Sequence, residues 1–407
     1  MKCRHCHAPL AHQFLDLGYA PASNAYLSED DLSRPESYFP LRVYVCAFCR
    51  LVQTEDCVSA ANLFQENYAY FSSTSNTWLK HAARYSAAIT RRLSLDKNAF
   101  VVEVASNDGY LLRNFVEAAI PCLGIEPTTS TAEAAERLGI PVLREFFGET
   151  LATKLAEQGR CADLIIGNNV YAHVPDINDF TRGLRILLKP GGVVTLEFPH
   201  LMRLVENRQF DTVYHEHFSY LSLMAASRIF AAAKLRIFDV EELPTHGGSL
   251  RIYGCRAEAQ YREETSVFRV LEEERARGME TDVWYDSFQE QVNTIKDCFL
   301  EFLLAQKRAG KTVAGYGAAA KGNTLLNYAG VKQDLLPYIC DASPAKIGKF
   351  MPGSHIPILH HAVLAKRKPD FVLILPWNIA SEVMAQNADL ARFGTRFVTA
   401  VPRLEIV

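Results

Sequence analysis

A chain of 407 residues is too long for one ordinary core, so two or three domains are expected. Hydrophobic residues make up 49% and charged residues 22%, as in soluble globular proteins, and no apolar run reaches the roughly 18 residues of a membrane span. A net charge of −3 gives no basic footprint for nucleic acid, and ten cysteines behind a polar start (Met1-Lys2-Cys3-Arg4-His5-Cys6) suggest the cytoplasm, with thiols or metal and not disulfides.

Residues 1–65 are turn-rich and anchored by cysteine. Cys3-x-x-Cys6 and Cys46-x-x-Cys49 make two thiol knuckles, a donor set suited to tetrahedral zinc. Four protein ligands leave no open position, so structural Zn²⁺ is expected, with His5 and His7 outside the shell. Cys57, Cys122, Cys161, Cys255, Cys298 and Cys340 read as apolar fillers.

Residues 66–265 alternate helices and strands. An amphipathic helix with the stripe Leu79, Ala82, Ala83, Ile89 and Leu93 opens the region. Apolar runs follow at Phe100–Val104, Leu123–Ile125, Leu164–Ile166, Val193–Leu196, Leu235–Val240 and Leu250–Tyr253, with helix-like stretches between most of them. This predicts an α/β doubly wound, mostly parallel sheet closed by an antiparallel pair. The first strand runs into Glu103-Val104-Ala105-Ser106-Asn107-Asp108-Gly109, small residues that allow close backbone approach to a ligand. Glu126, about twenty residues on, stands where an acid binds ribose hydroxyls. Ala105 and Asn107 occupy positions where a dinucleotide fingerprint has glycine, and the acid at Glu103 suits the cationic S-adenosylmethionine (SAM) better than a pyrophosphate. Asn168 and His173 fall at the rim of the same pocket, His173 being as readily structural as catalytic.

Residues 266–407 form a second, smaller α/β unit. A long helix carries Trp284, Phe288, Val292, Ile295, Phe299 and Phe302 on one stripe, stopped at Gly310. A strand at Thr312–Gly315 leads into a glycine-rich turn, with further strands at Leu336–Cys340 and Phe371–Leu375. The amides of this turn, with Gly317, Lys321 and Asn323, suit a phosphate, and Asp341 suits a sugar hydroxyl. His246-Gly247-Gly248-Ser249 with Arg251 is either a second substrate loop or a simple turn.

Tyr214-His215-Glu216-His217 concentrates a phenol, a carboxylate and two imidazoles, groups that are costly to bury unless they move protons. In an extended strand His215 and His217 face one way and Tyr214 and Glu216 the other, so all four share a pocket only if the backbone bends. His-Glu-x-x-His is absent here, which excludes a zincin site.

Together the paired CxxC, the Glu103–Gly109 loop, the Tyr214–Tyr220 block and Gly315-Tyr316-Gly317-Ala318-Ala319-Ala320-Lys321-Gly322-Asn323 resemble the SAM-dependent sugar C-methyltransferases that act on C-3′ of nucleotide-linked 4-keto-deoxysugars. The resemblance spans essentially the whole chain. It implies a zinc module, a class I SAM methyltransferase domain and a C-terminal Rossmann-like domain, with the nucleotide-sugar between the last two. It also implies His217 as general base, Tyr214 and Glu216 as its partners, and Tyr68 and His173 lining the site. The chemistry is consistent: a ketone acidifies the neighbouring C–H, a histidine removes the proton, and a donor such as Tyr214, Tyr68 or His173 holds the enolate oxygen. Glu216 is suited to fixing a histidine tautomer. A nucleotide-diphosphate 4-keto-deoxysugar is the expected partner, with no nucleic acid or membrane and a monomeric chain. An NAD(P)-dependent sugar oxidoreductase and an RNA- or protein-binding zinc protein are the competing readings.

Overall fold

The computed structural model describes residues 1–57 and 71–407. Its N-terminal sheet is antiparallel, built from β1 (His12–Ala20), β2 (Phe39–Val45) and β3 (Val52–Thr54). A fourth strand comes from far along the chain: β9 (Ser219–Tyr220) pairs with β3, Val52 against Tyr220 and Gln53 against Ser219. Leu41, Val43 and Val45 alternate inward on β2, and Phe14 stacks on Phe288 of the helix Phe288–Arg308 at 4.9 Å. The small N-terminal sheet thus borrows its core from the C-terminal half.

The central sheet has seven strands, β4 (Val101–Val104), β5 (Cys122–Ile125), β6 (Val142–Leu143), β7 (Ala162–Asn168), β8 (Leu188–Pro199), β10 (Leu235–Leu243) and β11 (Ser249–Arg256). Their order is β10-β11-β8-β7-β4-β5-β6. The first five run parallel; β11 pairs antiparallel with β8 and with β10, the expected closing pair. Val101, Val102, Val104, Leu123, Ile125 and Leu164–Ile166 are all buried, as strands covered on both faces must be. The exception in β4 is Glu103, whose carboxylate is buried with them.

The helix Asn76–Leu93 is capped by Ser75, which accepts from the Trp78 amide, and stops at left-handed Ser94. Its buried face is Ala82, Tyr85, Ser86 and Ile89, whereas Ala83 is exposed. Tyr85 turns the stripe because its hydroxyl finds Thr195 of β8 at 2.5 Å.

The C-terminal sheet comprises β12 (Val313–Tyr316), β13 (Ile339–Asp341), β14 (Ile358–His360), β15 (Phe371–Ile374), β16 (Arg396–Thr399) and β17 (Glu405–Ile406), in the order β14-β13-β12-β15-β16-β17. All pairs are parallel except β16–β17. The strand expected from Leu336 begins only at Ile339. Leu336 spends its amide on the Lys332 carbonyl in a turn, and Pro337 has none to give. The long helix is interrupted at Ser287, so Trp284 sits on a separate turn (Val283–Asp286) while Phe288 to Phe302 keep the buried stripe. Among the cysteines read as fillers, Cys122, Cys255 and Cys340 are buried and Cys57 and Cys161 half-buried, but Cys298 is exposed, off the buried stripe of its helix.

Candidate active site and metal centre

The sulfurs of Cys3, Cys6, Cys46 and Cys49 converge within 4.8 Å of one another. The closest pairs are Cys3–Cys49 at 3.5 Å and Cys6–Cys46 at 3.4 Å, near the edge of about 3.8 Å that a tetrahedron of 2.3 Å Zn–S bonds requires. Each knuckle closes on a left-handed residue, His7 or Arg50, whose amide donates to the carbonyl of Cys3 or Cys46. His5 turns away to Asn178, 2.8 Å from its Nδ1. The four thiols therefore fit a closed structural zinc site.

The loop after β4 is held in an uncommon shape, with positive φ at Ala105 (56°), Asn107 (49°) and Gly109 (78°). Glu126 fixes it by accepting from the amides of Asn107 and Thr128, each at 2.9 Å. A carboxylate keeps further lone pairs after two such bonds, so Glu126 can still receive a hydroxyl. Asn107 and Asp108 also receive the amides of Ser72 and Ser73, which lay that segment over the loop. Around the loop, Glu103 Oε2, Ser106 Oγ, Asp108 Oδ1 and both side-chain polar atoms of Asn168 are buried without partners. Burial, then the charges of Asp108 and Glu126, push the Glu103 carboxyl well above its usual range. Orphaned acceptors and crowded acids suit a cationic ligand, and SAM carries both a sulfonium and an ammonium. Gly109 is needed for packing: a Cβ there would meet Ile140 at 2.4 Å.

The Tyr214–His217 segment bends. His217 N–H donates to the Tyr214 carbonyl at 2.9 Å, with His215 and Glu216 at the tip of the turn. The bend brings the Tyr214 and His217 rings to 4.0 Å and places His173 4.6 Å from His217. It sends His215 toward Phe39 of β2, rings 5.9 Å apart and edge-on. Of the two imidazoles, His217 therefore shares a pocket with His173 and Tyr214. His217 Nδ1 bonds the Thr212 carbonyl at 2.8 Å, which assigns its proton there and leaves the lone pair on Nε2. His173 Nδ1 likewise bonds the Glu216 carbonyl at 2.7 Å. This corrects the expected role of Glu216: its carboxylate does not orient a histidine but accepts from Asn24 Nδ2 at 3.0 Å, and backbone carbonyls set both tautomers. Burial holds His173 down to about 4 and, with the neighbouring His173 a lesser cause, holds His217 well below the ordinary histidine range. Tyr68 lies outside the described residues.

All three regions grip this turn. Thr54 donates through its amide to the Phe218 carbonyl and through its hydroxyl to the His217 carbonyl, both at 3.1 Å. Phe218 N–H reaches Ala172 O at 2.8 Å, and Thr324 Oγ1 of the helix Ala320–Tyr328 reaches Val213 O at 2.8 Å.

The glycine-rich turn differs from an open phosphate cradle. Asp341 Oδ2 takes the Ala318 amide at 2.7 Å and its Oδ1 takes Ser343 N, so this carboxylate already occupies the turn. Pro376 closes over Gly317, where a Cβ would meet it at 2.5 Å, filling the crevice between β12 and β15 where the strand order reverses. Asn323 is fully buried with both polar atoms unpartnered. Lys321 turns to another element: its Nζ lies 4.5 Å over the Trp377 ring and 3.0 Å from Asn378 Oδ1, and its charge lowers the pKa of His217 and His246.

Three family models match successive parts of the chain. Residues 3–64 match a zinc binding domain model, 78–240 a methyltransferase domain model, and 244–402 the C-methyltransferase C-terminal domain. The C-methyltransferase NovU of Streptomyces niveus is 31% identical over 406 residues, covering 100% of this chain and 96% of that protein. The chain belongs to the C-methyltransferase family. It is a SAM-dependent enzyme with a four-cysteine zinc-binding module. Among solved structures, the 1,6-didemethyltoxoflavin-N1-methyltransferase of Burkholderia thailandensis is 17% identical, covers 53% of this chain and 98% of its own, and superposes with a TM-score of 0.39. The magnesium protoporphyrin IX methyltransferase of Synechocystis PCC 6803 is 14% identical over 44% and 81%, with a TM-score of 0.34.

Several residues that build the site of this C-methyltransferase carry no sequence signal. Thr212 acts through its carbonyl, which any residue has. Asp211, Trp377 and Asn24 converge from three regions with no motif around them. His246 was legible only as part of a loop; its ring stands 5.4 Å from Trp78, and burial and then the Lys321 charge lower its pKa to about 4. No helix among the described residues is long and apolar enough to cross a membrane.

Proposed function

We propose that this C-methyltransferase acts on C-3′ of a nucleotide-diphosphate 4-keto-deoxysugar bound between the central and C-terminal domains. The observation that carries the reading is the His217 tautomer. With Nδ1–H committed to Thr212, Nε2 is a neutral acceptor beside Tyr214 and His173. Such a group removes a carbon-bound proton made acidic by a ketone, and the electron pair moves onto the ketone oxygen. Tyr214 supplies a donor to that oxygen, while His173, whose Nδ1–H is committed to the Glu216 carbonyl, lines the pocket beside His217. SAM, when bound, would supply an electrophilic methyl on its sulfonium, and Glu103, Asn107, Asp108, Glu126 and Asn168 would hold it. Burial of His217 keeps it neutral and ready at physiological pH. The cytoplasm is the compartment in which thiols like those of the zinc knuckles stay reduced, and it is where we expect the reaction.

The test is incubation with SAM and a panel of thymidine- and guanosine-diphosphate 4-keto-deoxysugars, read by mass spectrometry. One added methyl on at least one of them is expected. No methyl on any of them refutes the reading.

A further inference from the structure

A neutral histidine whose pKa is held low is a weak base. It deprotonates carbon at a useful rate only if the enolate is strongly stabilised, so a charge complementary to the ketone oxygen has to stand nearby. We propose that this charge is Lys321: its ammonium donates to the 4-oxo oxygen as the enolate forms, and Asp211 is its positioning residue. The inference rests on the keto-sugar reading above and assigns Lys321 to the reacting end of the sugar, not to the diphosphate.

Three observations carry it. First, Lys321 is held by Asn378 and by the face of Trp377, the same ring whose Nε1 donates to Asp211. Its charge is felt at His217, at His246 and at Asp211, and His173 stands 4.6 Å from His217. Second, Asp211 is buried and accepts Trp377 Nε1 at 2.7 Å through Oδ2, while Oδ1 has no hydrogen-bond partner. Burial raises the Asp211 carboxyl to about 6, and Lys321 opposes that rise. Asp211 is also the neighbour of Thr212, so one short turn (Phe210–Thr212) carries the carbonyl that orients His217 and the carboxylate that holds the Trp377 ring under the cation. Third, the diphosphate is a poor match for this lysine. Asp341 already fills the Ala318 amide, and a single ammonium whose charge is partly offset by the Asp211 carboxylate cannot balance two phosphates. It can stabilise one charge that appears transiently.

In the step itself the C-3–H bond breaks, the proton goes to His217 Nε2, and the electron pair passes through the new C–C double bond to the oxygen held by Lys321. Nothing is oxidised or reduced. The test measures solvent deuterium exchange at C-3 and methyl transfer in the full-length enzyme, with thymidine diphosphate binding measured alongside. Lys321→Met is expected to slow both reactions about 10²–10³-fold, the loss of one oxyanion donor, with nucleotide affinity changed less than about threefold. Lys321→Arg, which keeps a cation, should retain more activity than Lys321→Met. Asp211→Asn removes the charge that holds the ammonium protonated, so the alkaline limb of the rate profile should move to lower pH. If Lys321→Met instead weakens nucleotide binding tenfold or more and regains the normal rate at saturating substrate, Lys321 serves the diphosphate and the inference fails. An unmoved alkaline limb in Asp211→Asn reduces Asp211 to a structural role and overturns that half of it. No exchange in the unaltered enzyme with any 4-keto sugar refutes the keto-sugar reading, and this inference with it.

Discussion

Glu197→Gln perturbs a buried carboxylate shared by three side chains. Glu197 is fully buried at the end of β8 and accepts from His81 at 2.9 Å, Arg251 at 2.7 Å and Thr245 Oγ1 at 3.0 Å. Burial alone would raise its pKa, but the His81 hydrogen bond and the Arg251 charge outweigh it and the net shift is downward. Removing one partner of a buried pair costs about 3–5 kcal/mol. Arg251 keeps Glu241 and the Tyr85 ring face, so the lower end, about 3 kcal/mol, is expected. At about 2–4 °C per kcal/mol for a domain of this size, the central-domain melting transition should fall by roughly 6–12 °C. A depressed carboxylate stabilises the fold above its unfolded pKa of about 4.3 and loses that contribution as pH falls through the lower folded value. The gap between wild type and Glu197→Gln should therefore be constant near neutrality and close in acid. Calorimetry on Glu197→Gln, Arg251→Met and the double variant completes the measurement, with a coupling of about 1.5 kcal/mol or more expected. Additive losses, or a gap that persists unchanged into acid, would show that the pair does not hold the helix Asn76–Leu93 to the sheet.

Other outcomes follow from the same geometry. Purified enzyme should contain close to one zinc per chain, and Cys46→Ser should lower both zinc content and methyl transfer, because the knuckle strands carry Thr54, which holds the His217 carbonyl; full activity in a zinc-free preparation would refute that coupling. The acid limb of the pH–rate profile should fall below the ordinary histidine value of about 6.5, since burial keeps His217 neutral as pH drops; a limb at or above it would exclude His217 as the titrating base. Gly247→Ala places a Cβ 2.3 Å from Gln209 Nε2 and 2.6 Å from Trp377 at a φ of +83°. It should cost about 1–3 kcal/mol by thermal melting and lower activity by moving Trp377, and a variant of unchanged stability would argue against a tight contact there.

The sequence displayed what repeats or what chemistry isolates. The alternating apolar runs from Phe100 to Leu196 mark the parallel sheet because strands covered on both faces are apolar throughout. The CxxC spacing marks the metal because no other use of four thiols so spaced is common. The Tyr214–His217 block advertised its chemistry, but its geometry depended on a hydrogen bond between its own ends, which composition does not encode. The carboxylate of Glu216 invited the wrong role for the same reason: the groups that orient His217 and His173 are carbonyls, anonymous in any sequence. Lys321 was visible as a cation near a glycine-rich turn, yet its direction is decided by Trp377 and Asn378, more than fifty residues away.

The pairing of β3 with β9 bears on how the protein comes into being. The zinc-bearing sheet lacks its last strand until every strand from β4 to β8 has been made, and that strand directly follows His217. Joining segments so distant in the chain is slow compared with local contacts. A ribosome-bound or truncated fragment ending before β4 would therefore hold its metal ligands before it held the segment that carries His217.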